Sequence, residues 1–564
     1  MAIGMKLHAF LLLGLFATTI PAAFGQRLSS DSSSKLSPDL IEAMSSGSEE
    51  ALDLIVQFKE SAAGRSASSR SWGGKNVRLT HDLSMIRGAA IRVPASELRS
   101  LAENPDVEYI TPDREIAARL DKGRSATQVE VQWNTLGYDG TGTRVAVIDS
   151  GINHNEAFEN GSTPRIVFEK SFIPSVTSTA DGYGHGTHVA SIVAGDGEGD
   201  DVYTARYRGI APFAEIVNLR VLDDEGAGKD SYVIAALQWI VSNKQDKKAN
   251  LNIRVVNLSL GRPVFESYKT DPLCKAVEAV WNAGIVVVVA AGNEGRDNSQ
   301  NTGGYGTINS PGNDPFVITV GAANTFGTMT RNDDMPTSYS SKGPSLIDHI
   351  VKPDLLAPGN KITALGSGKL KLNNPANVVD PANSYMQLSG TSMAAPFVSG
   401  AAMLLIEKNN KYTPDQVKYL LMKNAWRGFA ANSTVTDPAS GNRFTARSDI
   451  FTVGAGYIDI QAAISDTHMV HASAQSPTAV YNGTTKQVTL VGGANVVWGD
   501  STTPFNVVWG ANVVAGTNVV WGDSVVWGNA NPKANSVVWG DKAVSGSKSD
   551  EVNAETNKVL LKGE

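Results

Sequence analysis

Runs of β-branched residues recur through the middle of the chain, and helical patterns separate them. Arg144-Val-Ala-Val-Ile148, Glu215-Ile-Val-Asn-Leu-Arg-Val221, Arg254-Val-Val-Asn-Leu258, Ile285-Val-Val-Val-Val-Ala290 and Phe316-Val-Ile-Thr-Val320 are continuous rather than alternating. Strands covered on both faces read this way. Between them, Ser231–Ile240 and Pro272–Trp281 carry apolar residues at helical spacing. Strand, helix, strand in repetition predicts an α/β domain, a parallel sheet with helices on both faces, filling residues 121–467.

Upstream the pattern changes. Leu52–Phe58 partly alternates, and Gly88–Val93 leads into Pro94–Ala102, which starts like a helix with Pro and Ser in its first turn. Val107–Ile110 reads as a closing strand. Residues 26–120 therefore predict a small α+β domain. Before it, Lys6 precedes the apolar run Ala9–Ala17, followed by small residues up to Gly25. This is the layout of a cleaved signal peptide over residues 1–25, and the run falls short of the roughly 20 apolar residues that span a bilayer. The mature chain is expected outside the cytoplasm, secreted or surface-associated.

Beyond residue 468 the chain turns rich in Val, Asn, Gly and Trp. Val-Val-Trp-Gly occurs five times, largely on a six-residue period from Asn506. That period predicts short strands separated by glycine turns, with a disordered tail as the alternative. Exposed tryptophans would suit adhesion to a surface or polymer.

Charge and cysteine usage narrow the classes. A formal net charge of -7 leaves no basic footprint, so nucleic acid is not an expected partner. The lone Cys274 excludes an internal disulfide framework and reads as a small packed hydrophobe.

Candidate chemistry gathers where apolar strands end or helices begin, which is where an open α/β sheet presents its ligands. Asp149 follows the first strand and could hold an imidazole in one tautomer; a helix cap is the bland reading. His185 lies in a Gly-flanked turn leading into the apolar pattern Val189–Ala194. His188, three residues on, makes a His-x-x-His metal pair conceivable, but no acidic partner or third ligand accompanies it, and it reads as a packed helix residue. Ser392 begins a helix of small residues in which Pro396 is expected in the first turn. A serine there is ordinarily an N-cap, yet the same place aims free N–H groups at a charge forming beside the hydroxyl. Asn293 ends the most apolar strand, where its amide could donate to an oxyanion. Ser259-Leu260-Gly261 offers an extended edge to a peptide.

Together, Val-Ile-Asp149-Ser-Gly, His185-Gly-Thr-His-Val-Ala, Ala-Ala-Gly-Asn293-Glu-Gly and Gly-Thr-Ser392-Met-Ala-Ala-Pro resemble, in type and order, the motifs of the subtilisin-like serine proteases, the subtilases. The order differs from that of α/β-hydrolases, whose Gly-x-Ser-x-Gly is absent here. The resemblance implies peptide-bond hydrolysis through an acyl-enzyme, with Ser392 as nucleophile, His185 as base and Asp149 orienting it. Asn293 and the Ser392 backbone N–H would form the oxyanion hole. It also implies that Ser259, Leu260 and Gly261 pair with substrate, that Asn309 floors the primary specificity pocket, and that no cofactor is required. Residues 26–120 similarly resemble the family's propeptide, a folding chaperone and inhibitor cut by the protease itself near Ala118 to Leu120.

Two departures from the family pattern, Phe397 after the proline and Ser191 in place of a common glycine, do not touch proton transfer. The acidic loop Gly195–Asp201 reads as solvated, with structural calcium as the alternative. The competing functional reading is a catalytically silent surface-binding protein that uses its repeats.

Overall fold

In the computed structural model, the described residues lie between 30 and 112 and between 127 and 491, apart from short stretches within each span. The expected signal segment, the cut near residues 118–120 and the Val-Val-Trp-Gly repeats lie outside them. The chain divides into two compact units, Met1–Ala117 and Ala118–Glu564.

In the first unit, strands β1 (Ala51–Phe58), β2 (Arg78–Leu83) and β3 (Gly88–Pro94), helix α1 (Leu98–Glu103) and strand β4 (Val107–Pro112) form the small α+β fold. The sheet order is β2-β3-β1-β4, and the β1–β3, β2–β3 and β1–β4 pairs are all antiparallel. Leu54 and Val56 from β1, Ile91 and Val93 from β3, and Leu98 and Leu101 from α1 make its core. The helix starts later than the sequence suggested, because a single 3₁₀ turn over Ala95–Glu97 follows Pro94.

The second unit starts with β5 (Arg144–Asp149), β6 (Ile166–Ser171), α2 (His185–Ala194), β7 (Glu215–Arg220), α3 (Asp230–Gln245), β8 (Val255–Leu258) and α4 (Pro272–Asn282). It continues with β9 (Val286–Ala290), β10 (Ile318–Asn324), β11 (Met335–Pro336), β12 (Leu355–Pro358), β13 (Ile362–Leu365), β14 (Tyr385–Leu388) and α5 (Thr391–Lys408). The main sheet runs β6-β7-β5-β8-β9-β10 in parallel, with β12 parallel and the short β11 antiparallel on β10. Helices cover both faces. Strand β5 sits in the middle: from it the chain crosses to the edge strand β6, returns through β7 between the two, and then continues on the other side of β5 from β8. The carboxyl ends of β5, β8 and β9 thus meet at the switch in direction, the place where doubly wound sheets bind ligands.

Val145, Val147, Val255, Val256 and Val286–Val289 are all buried, which explains their unbroken apolar runs. Helix α4 is pinned by Asp271, whose side chain accepts from the Leu273 N–H at 2.9 Å, and by Pro272 in its first turn. Residues 473–482 and 487–491, placed with the tail by composition, belong to this unit: Ala474 and Ala479 are part of its core, and Val488 and Leu490 pack against it. A buried cluster ties them down. Lys418 Nζ donates to Ser476 Oγ at 3.0 Å and pairs with Asp354 at 3.1 Å, while Lys352 Nζ meets the other Asp354 oxygen at 2.7 Å. No helix among the described residues is long and apolar enough to cross a membrane.

Candidate active site

Asp149 ends β5 almost wholly buried. Its Oδ1 accepts from His185 Nδ1 at 2.7 Å and from the Ser150 N–H at 2.8 Å, while Oδ2 is buried without a hydrogen-bond partner. His185 opens α2, and Gly186 lets this helix start press on the turn after β5: a Cβ at Gly186 would lie 2.2 Å from the Gly151 carbonyl oxygen. Burial opposes the imidazolium of His185. The charge and hydrogen bond of Asp149, with the charge of Asp181, outweigh that cost and hold its pKa above the usual value.

His188, on the same helix, is fully buried. Its Nε2 lies 3.2 Å from the carbonyl oxygens of both Ile362 and Met386, so it bridges α2 to β13 and β14. Burial, with the nearby His185 charge, pushes it down to about 3, so it packs as a neutral ring. Among the described residues, no group of three or more His, Cys, Asp or Glu is placed to hold a metal ion. Asp196 of the acidic loop faces the buried Arg165 at 3.5 Å, and residues 198–201 lie outside the described ones. Cys274 is buried, and burial first, then nearby Asp314 and Asp271, raise its thiol out of the reactive range.

Ser392 is the second residue of α5. Its hydroxyl donates to the Ser259 carbonyl at 3.0 Å, and Ser259 Oγ donates back to the Ser392 carbonyl at 2.8 Å. Pro396 lies inside the helix, not in its first turn. Lacking an N–H, it leaves unpaired the carbonyl four residues back. That carbonyl belongs to Ser392, and the Ser259 hydroxyl satisfies it.

Asn293 follows β9, and its Oδ1 accepts from the Thr391 N–H at 2.9 Å and the Thr391 hydroxyl at 3.2 Å. With Oδ1 committed, Nδ2 is left to donate. Ser259-Leu260-Gly261 leave β8 and lead to Arg262, which exchanges backbone hydrogen bonds with Ser310 at 3.0 and 2.8 Å. Asn309 lies against this edge: a Cβ on Gly261 would come within 3.2 Å of the Asn309 Cβ, and one on Gly292 within 2.8 Å of Asn309 Nδ2. The Asn309 amide donates to the half-buried Glu294 at 3.2 Å. Ser191 Oγ accepts from the Leu365 N–H at 3.1 Å, and Phe397 is buried in α5.

The structure thus brings Asp149 and His185 into direct contact and joins Ser392 to the Ser259 edge; the Ser392 hydroxyl points to Ser259 rather than to His185. Motif reading passed over Ser150, Asp181, Glu294 and Thr391. The one sequence signal for Asp181 is a carboxylate four residues before His185 in a glycine-flanked turn.

Residues 140–491 match the subtilase family, and the chain belongs to that family: it is a serine endopeptidase. It is 35% identical over 351 residues to serine protease AprX of Bacillus subtilis, covering 62% of this chain and 76% of the relative. It is 30% identical over 417 residues to subtilisin E of the same species, covering 72% and 89%. A cold adapted subtilisin-like serine proteinase of solved structure is 31% identical, with 51% of this chain and 84% of the other covered and a TM-score of 0.38.

Proposed function

We propose that the protein is a secreted endopeptidase made as a self-processed zymogen. Ser392 attacks the scissile carbonyl of a protein or peptide as His185 takes its proton, forming a tetrahedral oxyanion. His185 returns that proton to the leaving amine, the C–N bond breaks, and water then hydrolyses the acyl-Ser392 ester by the same relay. Asp149 holds the imidazole and stabilises its charged form. Asn293 Nδ2 and the Ser392 N–H receive the oxyanion. Substrate backbone lies along Ser259-Leu260-Gly261, and Asn309 floors the pocket for the side chain before the cut. The observation that carries this reading is the 2.7 Å bond from His185 Nδ1 to Asp149, with the helix that His185 opens packed against the helix whose first turn bears Ser392.

Residues 1–25 direct export, residues 26–120 act as chaperone and inhibitor until cut near Ala118 to Leu120, and residues 121–467 supply the chemistry. The repeats within 468–564 engage a surface or polymer. The membership of residues 140–491 in a protease family supports the chemistry. The compact first unit before it supports the zymogen reading.

Intact mass of the secreted protein beside its Ser392→Ala variant tests this. The expected outcome is loss of the region before about Leu120 in the wild type and its retention in the variant. Equal processing of both would overturn self-cleavage and favour a silent, surface-binding role.

A further inference from the structure

We propose that Asp181 is the positioning residue for the Asp149–His185 pair, acting through Ser150 and the first turn of α2. The inference rests on the roles proposed above for Asp149, His185 and Ser392.

Asp181 lies in the loop before α2 and is 2% exposed. Each oxygen takes two hydrogen bonds. Oδ1 accepts from the Gly184 N–H at 2.7 Å and from Ser150 Oγ at 2.8 Å. Oδ2 accepts from the Thr187 N–H at 2.8 Å and the Thr187 hydroxyl at 2.7 Å. The residue at the N-cap of α2 is Gly184, which has no side chain to bond the free N–H groups. Asp181 therefore caps from three residues upstream the helix that delivers His185, and a carboxylate at a helix start also matches the dipole. Asn153 closes the same loop onto the turn after Asp149: its Oδ1 accepts from the Asp181 N–H and its Nδ2 donates to the Asp181 carbonyl, both at 3.0 Å.

Ser150 carries the effect to Asp149. Its hydroxyl has one proton, and Asp181 Oδ1 at 2.8 Å is a closer acceptor than Asp149 Oδ1 at 3.3 Å. The Ser150 oxygen meanwhile accepts from the Gly186 N–H at 3.0 Å, one residue past His185. By claiming the Ser150 proton, Asp181 leaves Asp149 Oδ1 to the imidazole and the Ser150 N–H. The ionisable groups around His185 are Asp149 from β5, Asp181 and Tyr183 from the preceding loop, and His188 from its own helix. Of these, the two carboxylates favour the imidazolium.

The experiment measures kcat, KM and the pH profile of kcat/KM for a chromogenic peptide substrate. Competent sites are counted with a fluorophosphonate in the secreted wild type, Asp181→Asn, Ser150→Ala and the double variant, with Ser392→Ala as control. Removing the Asp181 charge is expected to lower kcat about 10–100-fold with KM changed less than about threefold, and to move the acid limb to lower pH, because the imidazolium loses a stabilising anion. The Ser150→Ala loss should nearly vanish when added to Asp181→Asn, since both break one path. Unchanged kcat with an unmoved acid limb, or losses that simply add, would overturn the inference. If Asp181→Asn does not fold, Ser150→Ala decides: it leaves the bonds from Asp181 to α2 in place, and unaltered kcat in it overturns the proposal. Should Ser392→Ala keep full activity, the triad reading falls first and this inference with it.

Discussion

Asn293 is fixed by its neighbour as much as by its own backbone. Thr391 donates to its Oδ1 through both N–H and hydroxyl, so the amide is oriented before any substrate arrives, which is what makes an oxyanion donor effective. Asn293→Ala is therefore expected to reduce kcat about 10²–10³-fold, a magnitude measured within the subtilisin family, while leaving KM nearly unchanged. Steady-state kinetics on a peptide substrate checks this; a rise in KM at constant kcat would mean that Asn293 binds the ground state instead.

At the scale of elements, the contact between β8 and α5 depends on a flaw in the helix. Pro396 deprives the Ser392 carbonyl of its helical donor, and Ser259 Oγ replaces it at 2.8 Å. Asn257 then donates to Ser259 Oγ at 2.9 Å and accepts from Ser399 at 2.8 Å, so the strand is stitched to the helix beyond the proline. Ser259→Ala should cost about 1–3 kcal/mol by stranding a buried acceptor. In a Pro396→Ala background, where the helix regains an N–H for that carbonyl, the same change should cost much less. Denaturant unfolding of the Ser392→Ala protein, which keeps the carbonyl, measures both, and equal costs would refute the account. Such pairings explain what was legible in the sequence. Strands β5, β7, β8 and β9 were readable because they are buried on both faces and so apolar throughout. Strand β6 was not, since Ile166-Val-Phe-Glu-Lys-Ser171 lies at the sheet edge and mixes buried with exposed positions. Strands β12, β13 and β14 are four residues each, too short for a period to show. Asp149, His185, Asn293 and Ser392 stood out because each ends a strand or opens a helix within a recognisable motif. Ser150 meets Asp181 across 31 residues and Thr391 meets Asn293 across 98, pairings that no local pattern records.

Across the whole molecule, buried ionisable groups predict how acid unfolds it. His188 has its pKa pushed down to about 3 by burial, while an unfolded histidine titrates near about 6.5. Between those values the unfolded chain binds the proton and the native one does not. Stability therefore falls as pH drops from about 6.5 toward about 3, by up to about 1.4 kcal/mol per pH unit from this one group, and levels off below. Asp354 acts over a lower window. Burial raises its pKa, but the charges of Lys352 and Lys418 outweigh burial and hold it below the usual carboxylate value. Its contribution is thus intact above about 3.9 and lost as pH falls through the lower native value. His188→Gln keeps a donor for the Ile362 and Met386 carbonyls without a titrating group. In the Ser392→Ala background, where self-digestion is removed, that variant should show a flatter dependence of unfolding free energy on pH between about 6.5 and about 4, and a matching acid collapse below. If the two curves run parallel through the upper window, the neutral, buried state of His188 is not what sets acid sensitivity there, and other buried groups such as His349, which burial lowers to about 4, must carry it.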